Sequence, residues 1–330
     1  PPKKVIAMRI LVAGGAGYIG SCTTEYLLDH GHQVTVFDAP ITGHRAAVDQ
    51  RAAFIHGNLN DDDALNRAFQ QARPEGIIHF AAFIEVGESM RQPGKYFSNN
   101  ITAGIHLLEA AVRHQVRKIV FSSTAAVYGL PERNPIPDNA PVAPINPYGE
   151  SKLAFERILH WYHVVHGLQY AALRYFNAAG ATAHRGEDHH PESHLIPLVI
   201  QAAMGVRPSV SIFGEDYDTP DGTCIRDYVH VNDLAQAHLL ALESDQSRAF
   251  NLGSGHGHSV KAVIEAVKEV TNRQFNVIIA PSRPGDPARL VSDSTDARNI
   301  LGWKPAFEDI HTMVESAWKC RQHHPNGYPE

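Results

Sequence analysis

A tyrosine and a lysine able to exchange a proton with a substrate lie four positions apart in the segment that opens with Pro147. Tyr148 and Lys152 would share one face of a helix, because side chains at i and i+4 lie one above the other. A phenol with an ordinary pKa of about 10 is a poor base at neutral pH, but a neighbouring ammonium group favours the phenolate. The pair therefore predicts a base for a substrate hydroxyl, and Thr124, at the end of a predicted strand, could bridge that hydroxyl and the phenol.

The same spacing occurs by chance on surface helices, so its meaning depends on what precedes it. An apolar strand from Met8 to Ala13 leads into a glycine-rich turn, and Ser21 to His30 then have helical periodicity. This order is typical of a dinucleotide site, where missing side chains let the backbone approach a pyrophosphate and the helix N-terminus stabilises its charge. The dinucleotide spacing is carried by Gly15, Gly17 and Gly20.

An aspartate after the second predicted strand indicates which dinucleotide binds. Asp38 follows the strand Gln33 to Phe37, lies 21 residues after Gly17, and can accept hydrogen bonds from an adenosine ribose. Its carboxylate would repel a 2′-phosphate, which favours NAD, although Arg45 is close enough in sequence to leave NADP open. With NAD nearby, the phenol of Tyr148 predicts proton exchange coupled to hydride transfer at the adjoining carbon.

Strands and helices alternate through the first half of the chain, which predicts an α/β fold with a doubly wound, parallel Rossmann sheet. We expect an NAD-binding domain over residues 8–180, with segments of about 226–258 returning to it, and a smaller C-terminal α/β substrate lobe, mainly residues 181–330. Ligands gather at the carboxyl ends of such strands. The side chains predicted there are Ala81, Ser122, Ser123, Thr124 and Asn177, after strands at Phe54 to Ile55, Gly76 to Phe80, Lys118 to Phe121 and Ala171 to Phe176.

The composition favours a small-molecule partner. The 330 residues are 43% hydrophobic with a formal net charge of −6 and no basic stripe, so no nucleic acid is expected. No apolar run approaches the ~18 residues of a membrane span, so no membrane is expected either. Three widely spaced cysteines fit neither a disulfide framework nor a zinc knuckle and indicate a reducing cytoplasm. Whether residues 1–7 are native stays open.

Histidine is abundant, with 21 residues, but we expect no metal. His160, His163 and His166 recur every three residues, a spacing that puts neighbours within reach of one ion. We interpret them as a solvated helix face, because no paired carboxylate or cysteine supports them. The same interpretation covers His189, His190, His256 and His258.

From Met8 to the end, the chain resembles the extended short-chain dehydrogenase/reductase family and, within it, the UDP-glucose (UDP-galactose) 4-epimerases. The shared motifs are Gly14-Gly-Ala-Gly-Tyr-Ile-Gly20, His79-Phe-Ala81, Val86-Gly-Glu-Ser89, Ser122-Ser-Thr-Ala-Ala-Val-Tyr-Gly129, Tyr148-Gly-Glu-Ser-Lys152, Leu173-Arg-Tyr-Phe-Asn177, Ile212-Phe-Gly214, Arg226-Asp-Tyr-Val-His230, Asn251-Leu-Gly253 and Arg283-Pro-Gly-Asp286. The resemblance implies that Tyr148 removes the proton of the sugar 4-hydroxyl while tightly retained NAD takes the C4 hydride. The 4-keto sugar then turns over, and the hydride returns to its other face.

The resemblance also implies roles for individual residues. Arg283 and Asn177 would contact the pyrophosphate with Arg226 beside them, Leu195 and Phe213 would lie near the uracil, and Asp286 would accept the uridine ribose hydroxyls. The implied cofactor residues are Gly14, Gly17, Tyr18, Ile19, Gly20, Asp38, Asn58, Leu59, Phe80, Ala81, Asn99, Ser122, Tyr148, Lys152 and Tyr175. The implied substrate residues are Thr124, Tyr148, Asn177, His194, Leu195, Ser211, Phe213, Arg226, Arg283, Asp286 and Leu290.

Two alanines separate this chain from related chemistries. Sugar 4,6-dehydratases place an Asp-Glu pair where Ala125 and Ala126 stand here, and two methyl groups cannot do acid/base work. Reversible oxidation and reduction at C4 is the chemistry that remains. Leu290 aligns with a position where Tyr restricts the pocket to plain hexoses and Cys or Ser admits N-acetylated ones, so UDP-N-acetylhexosamine stays open, as do UDP-pentose and UDP-uronate. Other departures from the family are Ile84 for a Lys that contacts NAD phosphate, Asn58 for Asp, His194 for Asn, and Thr124 for Ser.

Apolar positions at helical spacing in Ile101 to Val112 and Leu153 to Val165 exceed what one sheet face needs. Paired with the same helices of a second copy, they predict a homodimer through a four-helix bundle, as in this family. Ordinary packing on the sheet is the alternative.

For the function, a further alternative is a catalytically idle sensor of NAD or sugar nucleotide. It is disfavoured because a sensor has no need of Tyr148, Lys152 and Thr124.

Overall fold

The computed structural model describes residues 7–283 and 285–329, so most of the segment ahead of the first strand lies outside the described residues. Its strands are β1 Arg9–Ala13, β2 Gln33–Asp38, β3 Ala53–His56, β4 Gly76–His79, β5 Lys118–Thr124, β6 Gln169–Tyr175, β7 Asn177–Ala179, β8 Ser209–Phe213, β9 Ile225–His230, β10 Arg248–Leu252, β11 Gly257–Ser259, β12 Asn276–Ala280 and β13 Arg289–Leu290. Its α-helices are α1 Tyr18–Asp29, α2 Asp62–Ala72, α3 Val86–Ser89, α4 Pro93–Phe97, α5 Ala103–Arg113, α6 Pro147–His166, α7 Leu195–Ala203, α8 Val231–Glu243, α9 Val260–Thr271 and α10 Ile310–His323.

Seven strands form one parallel sheet in the order β10-β6-β5-β4-β1-β2-β3. The order reverses at β1, where the chain moves from one half of the sheet to the other. In a doubly wound sheet this reversal opens a crevice at the carboxyl ends of the strands. The predicted fold class is confirmed.

Both faces of the sheet are covered, because consecutive side chains of a strand point to opposite sides. Ile10 and Val12 of β1 pack in an apolar cluster with residues of α1 and α8. Leu11 and Ala13 pack on the other face with residues of α2, α5 and α6. Each fully buried Leu or Phe side chain stabilises the fold by about 1.5–3 kcal/mol, so the two clusters hold the strand ends in register.

The later part of the chain forms two smaller sheets. β9 pairs with β7, β11 and β13, and β8 pairs with β12. Helices α7, α9 and α10 bury a further apolar cluster against them. β10 lies beside β6 in the large sheet, whereas the domain boundary near residue 180 stays a prediction. Across the described ranges, we find no helix with the length and apolar character needed to span a membrane.

Two element boundaries differ from the sequence prediction near the site. α1 begins at Tyr18 rather than Ser21, because Gly17 occupies the extended position just before the helix. β5 continues beyond Phe121 to Thr124, since Ser122 to Thr124 pair with Leu173 to Tyr175 of β6. The longer strand places Thr124 at its last position, where the sequence analysis expects it.

The buried imidazole of His238 makes stability depend on pH. Its ring is fully buried on α8, its Nδ1 lies 2.7 Å from the Leu234 carbonyl oxygen, and burial lowers its pKa to about 4. Below the ordinary pKa of about 6.5 the unfolded chain therefore binds a proton that the folded chain excludes. His79 and His230 are buried with pKa values lowered to about 3 and about 4 for the same reason.

We therefore expect the free energy of unfolding to fall as the pH drops from about 6.5 towards about 4, with His238 contributing ~1.4 kcal/mol per pH unit. His238→Leu should flatten the fall by that amount, as measured by urea unfolding at several pH values. His160→Leu, on an exposed face of α6, is the control and should leave the slope unchanged. An unaltered slope in His238→Leu would show that this imidazole already titrates normally in the fold.

Candidate active site

The predicted base lies in the first turn of α6, and local signals fix where that turn begins. Pro147 occupies the first helical position, and the Asn146 side chain accepts a hydrogen bond of 2.8 Å from the Gly149 amide. Proline is pre-organised for this position and asparagine is a favoured helix cap. Tyr148 is therefore held at the N-terminal end of the helix, half-buried at the edge of the sheet.

Lys152 lies one turn further along, beneath the tyrosine. Its ammonium group is buried, donates a 2.8 Å hydrogen bond to the Ser122 carbonyl oxygen, and lies 6.0 Å from the centre of the Tyr148 ring. The Thr124 hydroxyl lies at the end of β5 and accepts a hydrogen bond from the Ala126 amide at 3.1 Å. The structure thus brings the three predicted catalytic residues to one strand end.

Burial has the largest effect on the pKa values of Tyr148 and Lys152 in the protein without cofactor. It raises the pKa of Tyr148 to about 12, although a hydrogen bond with Thr124 opposes the change. It lowers the pKa of Lys152 to about 7, although the carboxylate of Glu156 opposes that shift. The sequence analysis expects the lysine to favour the phenolate, but here the cost of burying charge is larger. A further positive charge at the site would be needed to bring the phenol towards neutral pH.

A buried ion pair that the sequence analysis missed holds α6 against the sheet. Arg174 of β6 donates to Glu156 through Nε at 2.9 Å and through Nη2 at 2.5 Å, and the Ser123 hydroxyl donates to the same carboxylate at 2.5 Å. Both charged side chains are less than a tenth exposed. A charged residue one helical turn after Lys152 was the available signal, but its partner lies 18 residues away and could not be identified without the fold.

The glycines of this turn differ in whether the fold needs them. A β-carbon at Gly14 would lie 2.4 Å from the Ala81 amide nitrogen, and one at Gly20 would lie 2.2 Å from the Gly14 carbonyl oxygen. Gly14 also has φ of +83°, which only glycine adopts readily. At Gly17 the nearest atom would be 3.6 Å away and φ is −78°. The fold therefore requires Gly14 and Gly20, whereas Gly17 has room for a β-carbon. That a pyrophosphate approaches Gly17 stays a prediction.

Asp38 lies at the end of β2 beside this turn. Its carboxylate accepts a 2.8 Å hydrogen bond from the Ala16 amide, and burial raises its pKa. The Arg45 guanidinium lies 4.3 Å from the centre of the Phe54 ring, so it is stacked on that aromatic face. A carboxylate held against a dinucleotide turn fits the ribose of NAD.

Most of the remaining cofactor residues follow the ends of neighbouring strands. Asn58 and Leu59 come after β3, and Phe80 and Ala81 come after β4. Tyr175 ends β6 and its hydroxyl donates to the Ser122 hydroxyl. Asn99, on the helical turn before α5, donates to Asn100 at 3.0 Å. Tyr18 and Ile19 open α1.

Several predicted substrate residues lie around β9 and its neighbours. The Asn177 amide donates to the Asp227 carbonyl oxygen at 2.8 Å, and Arg226 pairs with the Asp286 carboxylate. The Arg283 guanidinium lies 3.9 Å from the centre of the Phe213 ring, which is over a third exposed. Ser211 lies in β8 two residues before Phe213.

Leu290 belongs to the same region and also reaches the catalytic strand end. It pairs with Arg226 through the ladder between β13 and β9. Its side chain packs against a buried cluster that includes Ala125, Tyr128 and Leu153. The residue that the sequence analysis links to sugar selectivity therefore lies between the nucleotide residues and the start of α6.

Comparison with known proteins decides the family. Residues 10–253 match the NAD dependent epimerase/dehydratase family. The chain belongs to this family. A UDP-glucose 4-epimerase of Lacticaseibacillus casei is 51% identical to this member of the family over 97% of the chain and 99% of its own length. A crystal structure of a UDP-glucose 4-epimerase has a TM-score of 0.95 at 48% identity and covers 97% of this chain and 99% of that one. The Brucella ovis UDP-glucose 4-epimerase in complex with NAD has a TM-score of 0.92 at 42% identity, covering 94% and 98%.

These comparisons confirm the predicted family, while the individual site residues of this epimerase/dehydratase stay predictions. One premise of the sequence analysis is corrected by the geometry. His189 was interpreted as solvated because no carboxylate pair supported it, but its Nδ1 lies 3.2 Å from Glu187 and 4.0 Å from Glu192. His194, an expected substrate residue, contacts the same two carboxylates at 2.7 and 3.1 Å. Sequence spacing alone could not show that these four side chains converge.

We expect Gly17→Ala to keep the fold and lose cofactor, because the new methyl group has room within the chain but occupies the surface that a pyrophosphate approaches. NAD affinity should fall at least about tenfold, which is ~1.4 kcal/mol. NAD released from denatured protein and the thermal midpoint are the two measurements. Gly20→Ala is the matched control and should lower the midpoint strongly, since its methyl group meets backbone. An NAD affinity of Gly17→Ala equal to that of the natural chain, measured by titrating nucleotide-free protein, would contradict the assignment.

Proposed function

We propose that this chain catalyses the reversible C4 epimerisation of a UDP-hexose, UDP-galactose to UDP-glucose, through a 4-keto sugar. Bound NAD would accept the C4 hydride and return it, so no net oxidation occurs. The observation that carries the proposal is the convergence of Tyr148, Lys152 and Thr124 at the end of β5. The glycine turn, with room at Gly17, follows β1 at the same edge of the parallel sheet. The relatives named UDP-glucose 4-epimerase support it.

In this proposal the chain supplies one proton acceptor and the groups that orient it. Tyr148 takes the proton of the sugar 4-hydroxyl as the C4 hydride leaves, and returns the proton when the hydride comes back. Thr124 hydrogen-bonds the hydroxyl and the phenol. Lys152, fixed on the Ser122 carbonyl oxygen, adds a positive charge beneath the phenol when it is protonated. Burial raises the pKa of Tyr148, and the positive charge of an oxidised nicotinamide nearby would lower it and favour the phenolate.

The turn after Thr124 supports a plain epimerisation. Ala125 and Ala126 open a short helical turn, Ala125–Tyr128, that follows β5 directly. Neither side chain can donate or accept a proton, so the elimination of water that a dehydratase performs has no acid at this place. The two alanines therefore favour return of the hydride over loss of water.

The nucleotide would lie along the second group of residues. Arg226 and Arg283 offer forked donors for a diphosphate, Asp286 can accept a ribose diol, and the exposed Phe213 ring can pack against a base. Leu290 is the residue expected to determine which sugar can follow the diphosphate. A leucine is smaller than tyrosine and larger than serine, so UDP-N-acetylhexosamine is the second candidate, followed by UDP-pentose and UDP-uronate.

We also propose that the protein is a homodimer formed by α5 and α6. The inner faces of the two helices are buried on the sheet through Leu107, Leu108, Phe155 and Leu159. The outer face of α6 still presents Trp161, Val164 and Val165, each more than half exposed. An apolar patch on a helix that has already packed its inner face fits a second copy of the same helices. The three free cysteines support a reducing, cytoplasmic location.

Tyr148→Phe should lower the rate of C4 inversion by at least about a hundredfold, because a phenyl ring cannot take the proton. Inversion is followed by NMR with UDP-galactose and, separately, UDP-N-acetylgalactosamine, without added cofactor. Bound NAD should persist in the variant, since the phenyl ring keeps the packing. Near-normal turnover would remove Tyr148 from its role, and an absence of inversion by the natural sequence with every UDP-sugar would refute the proposed function.

Trp161→Ser combined with Val165→Asp should convert a dimer into a monomer, because a charge then lies in the apolar patch. Light scattering coupled to size-exclusion chromatography gives the mass directly. Val206→Asp introduces the same charge at another exposed valine, after α7, and should leave the dimer intact. A natural chain that is monomeric at micromolar concentration would refute the dimer.

A further inference from the structure

Four side chains in the loop between β7 and α7 form a compact group, here called the loop cluster: Glu187, His189, Glu192 and His194. Each offers one oxygen or nitrogen atom, and the four atoms lie within 4.8 Å of one another. The two carboxylate side chains are 9% and 5% exposed. Carboxylates are rarely buried to this degree unless they are paired or bind a metal.

The spacing of these atoms matches a tetrahedral metal site. The Glu187 carboxylate lies 2.7 Å from the His194 Nδ1 and 3.2 Å from the His189 Nδ1. The Glu192 carboxylate lies 3.1 Å from the His194 Nδ1 and 4.0 Å from the His189 Nδ1. Ligands bound to zinc at 2.0–2.1 Å in a tetrahedron are separated by about 3.3 Å. Small side-chain movements would therefore bring all four atoms to bonding distance of one ion.

The chemistry of the donors is also suitable. Both imidazoles direct Nδ1 into the cluster, and these nitrogens can hold either protons or a metal ion. Two imidazole nitrogens and two carboxylate oxygens are ligands that Zn²⁺ accepts. The Glu192 carboxylate is already oriented, because it accepts hydrogen bonds of 2.8 Å from the amides of Ser193 and His194. Such outer contacts position ligands in metal sites.

We infer that the loop cluster is a structural binding site for a divalent transition-metal ion of the zinc type, with Glu187, His189, Glu192 and His194 as its ligands. The site goes beyond the proposed function and takes no part in the hydride or proton transfer.

The position of the loop cluster explains what a bound ion would stabilise. His194 immediately precedes Leu195, the first residue of α7 and an expected uracil contact. Ser193 donates to Glu85 at 3.0 Å, which joins the loop to the segment before α3. The His189 ring meets the edge of the Tyr18 ring at 6.5 Å between centres, at the start of α1. An ion would thus fix the loop that lies between the glycine turn and the substrate residues.

Metal binding to the full-length protein with its nucleotide retained tests this inference. The protein is stripped with a chelator, transferred to metal-free buffer at a pH of about 8, and titrated with Zn²⁺ against a chromophoric chelator. Co²⁺ serves as a spectroscopic probe, because a tetrahedral ion absorbs visible light far more strongly than an octahedral one. We expect one tight site per chain, an intense cobalt spectrum, and a thermal midpoint raised by about 3 °C or more at saturating zinc.

Matched variants locate the site. His189→Asn and Glu192→Gln should each weaken zinc binding at least ~100-fold, more than loss of an outer contact would. His184→Asn, in the same loop and 73% exposed, should bind zinc as the natural chain does. If the two ligand variants fail to fold, an anomalous difference map of the natural protein at the zinc edge should place the ion among the four side chains.

A cobalt spectrum of octahedral type, unchanged tight binding in His189→Asn, or an anomalous peak at another of the histidines would overturn the inference and leave an ion-pair cluster only. None of these readouts depends on turnover. A failure of the metal site is therefore distinguishable from a failure of the proposed function.

Discussion

The buried ion pair between Glu156 and Arg174 is the contact on which the catalytic geometry depends. It joins α6 to β6, and through the Ser123 hydroxyl it also joins α6 to β5. Removing one partner of such a pair typically costs 3–5 kcal/mol, because the other charge stays buried. The pair matters here mainly because it fixes the position of α6. The same helix carries Tyr148 and Lys152 to the strand end where Thr124 lies.

Burial at that strand end shifts the pKa values of the two predicted catalytic side chains in opposite directions. It favours the neutral phenol of Tyr148 and the neutral amine of Lys152, the reverse of the charged pair that transfers protons most readily. A bound cationic nicotinamide would change this balance by favouring the phenolate. In the protein alone the phenol therefore stays protonated at neutral pH.

The sequence predicted what depends on local spacing and failed where distant residues meet. Tyr148 and Lys152 are four residues apart, the glycine turn is one short segment, and the apolar strands have a clear pattern, so each of these local arrangements followed from known geometry. The start of α1 was missed by three residues, because Gly17 gives no side-chain capping signal. Arg174 lies in a recognised motif, but its partner Glu156 was missed, as were the carboxylates beside His189. Both sets of contacts depend on how the chain folds back on itself.

The glycine turn shows why a motif alone does not assign function. Gly14 and Gly20 are required because a β-carbon would strike backbone atoms, so a protein with no cofactor would need them equally. Gly17 has room for a methyl group and an ordinary backbone conformation, and packing does not explain its lack of a side chain. A pyrophosphate close to this backbone would explain it, because the turn follows the carboxyl end of β1, where ligands of such sheets gather. The room at Gly17, rather than the glycine count, is therefore the feature of this turn that a dinucleotide would explain.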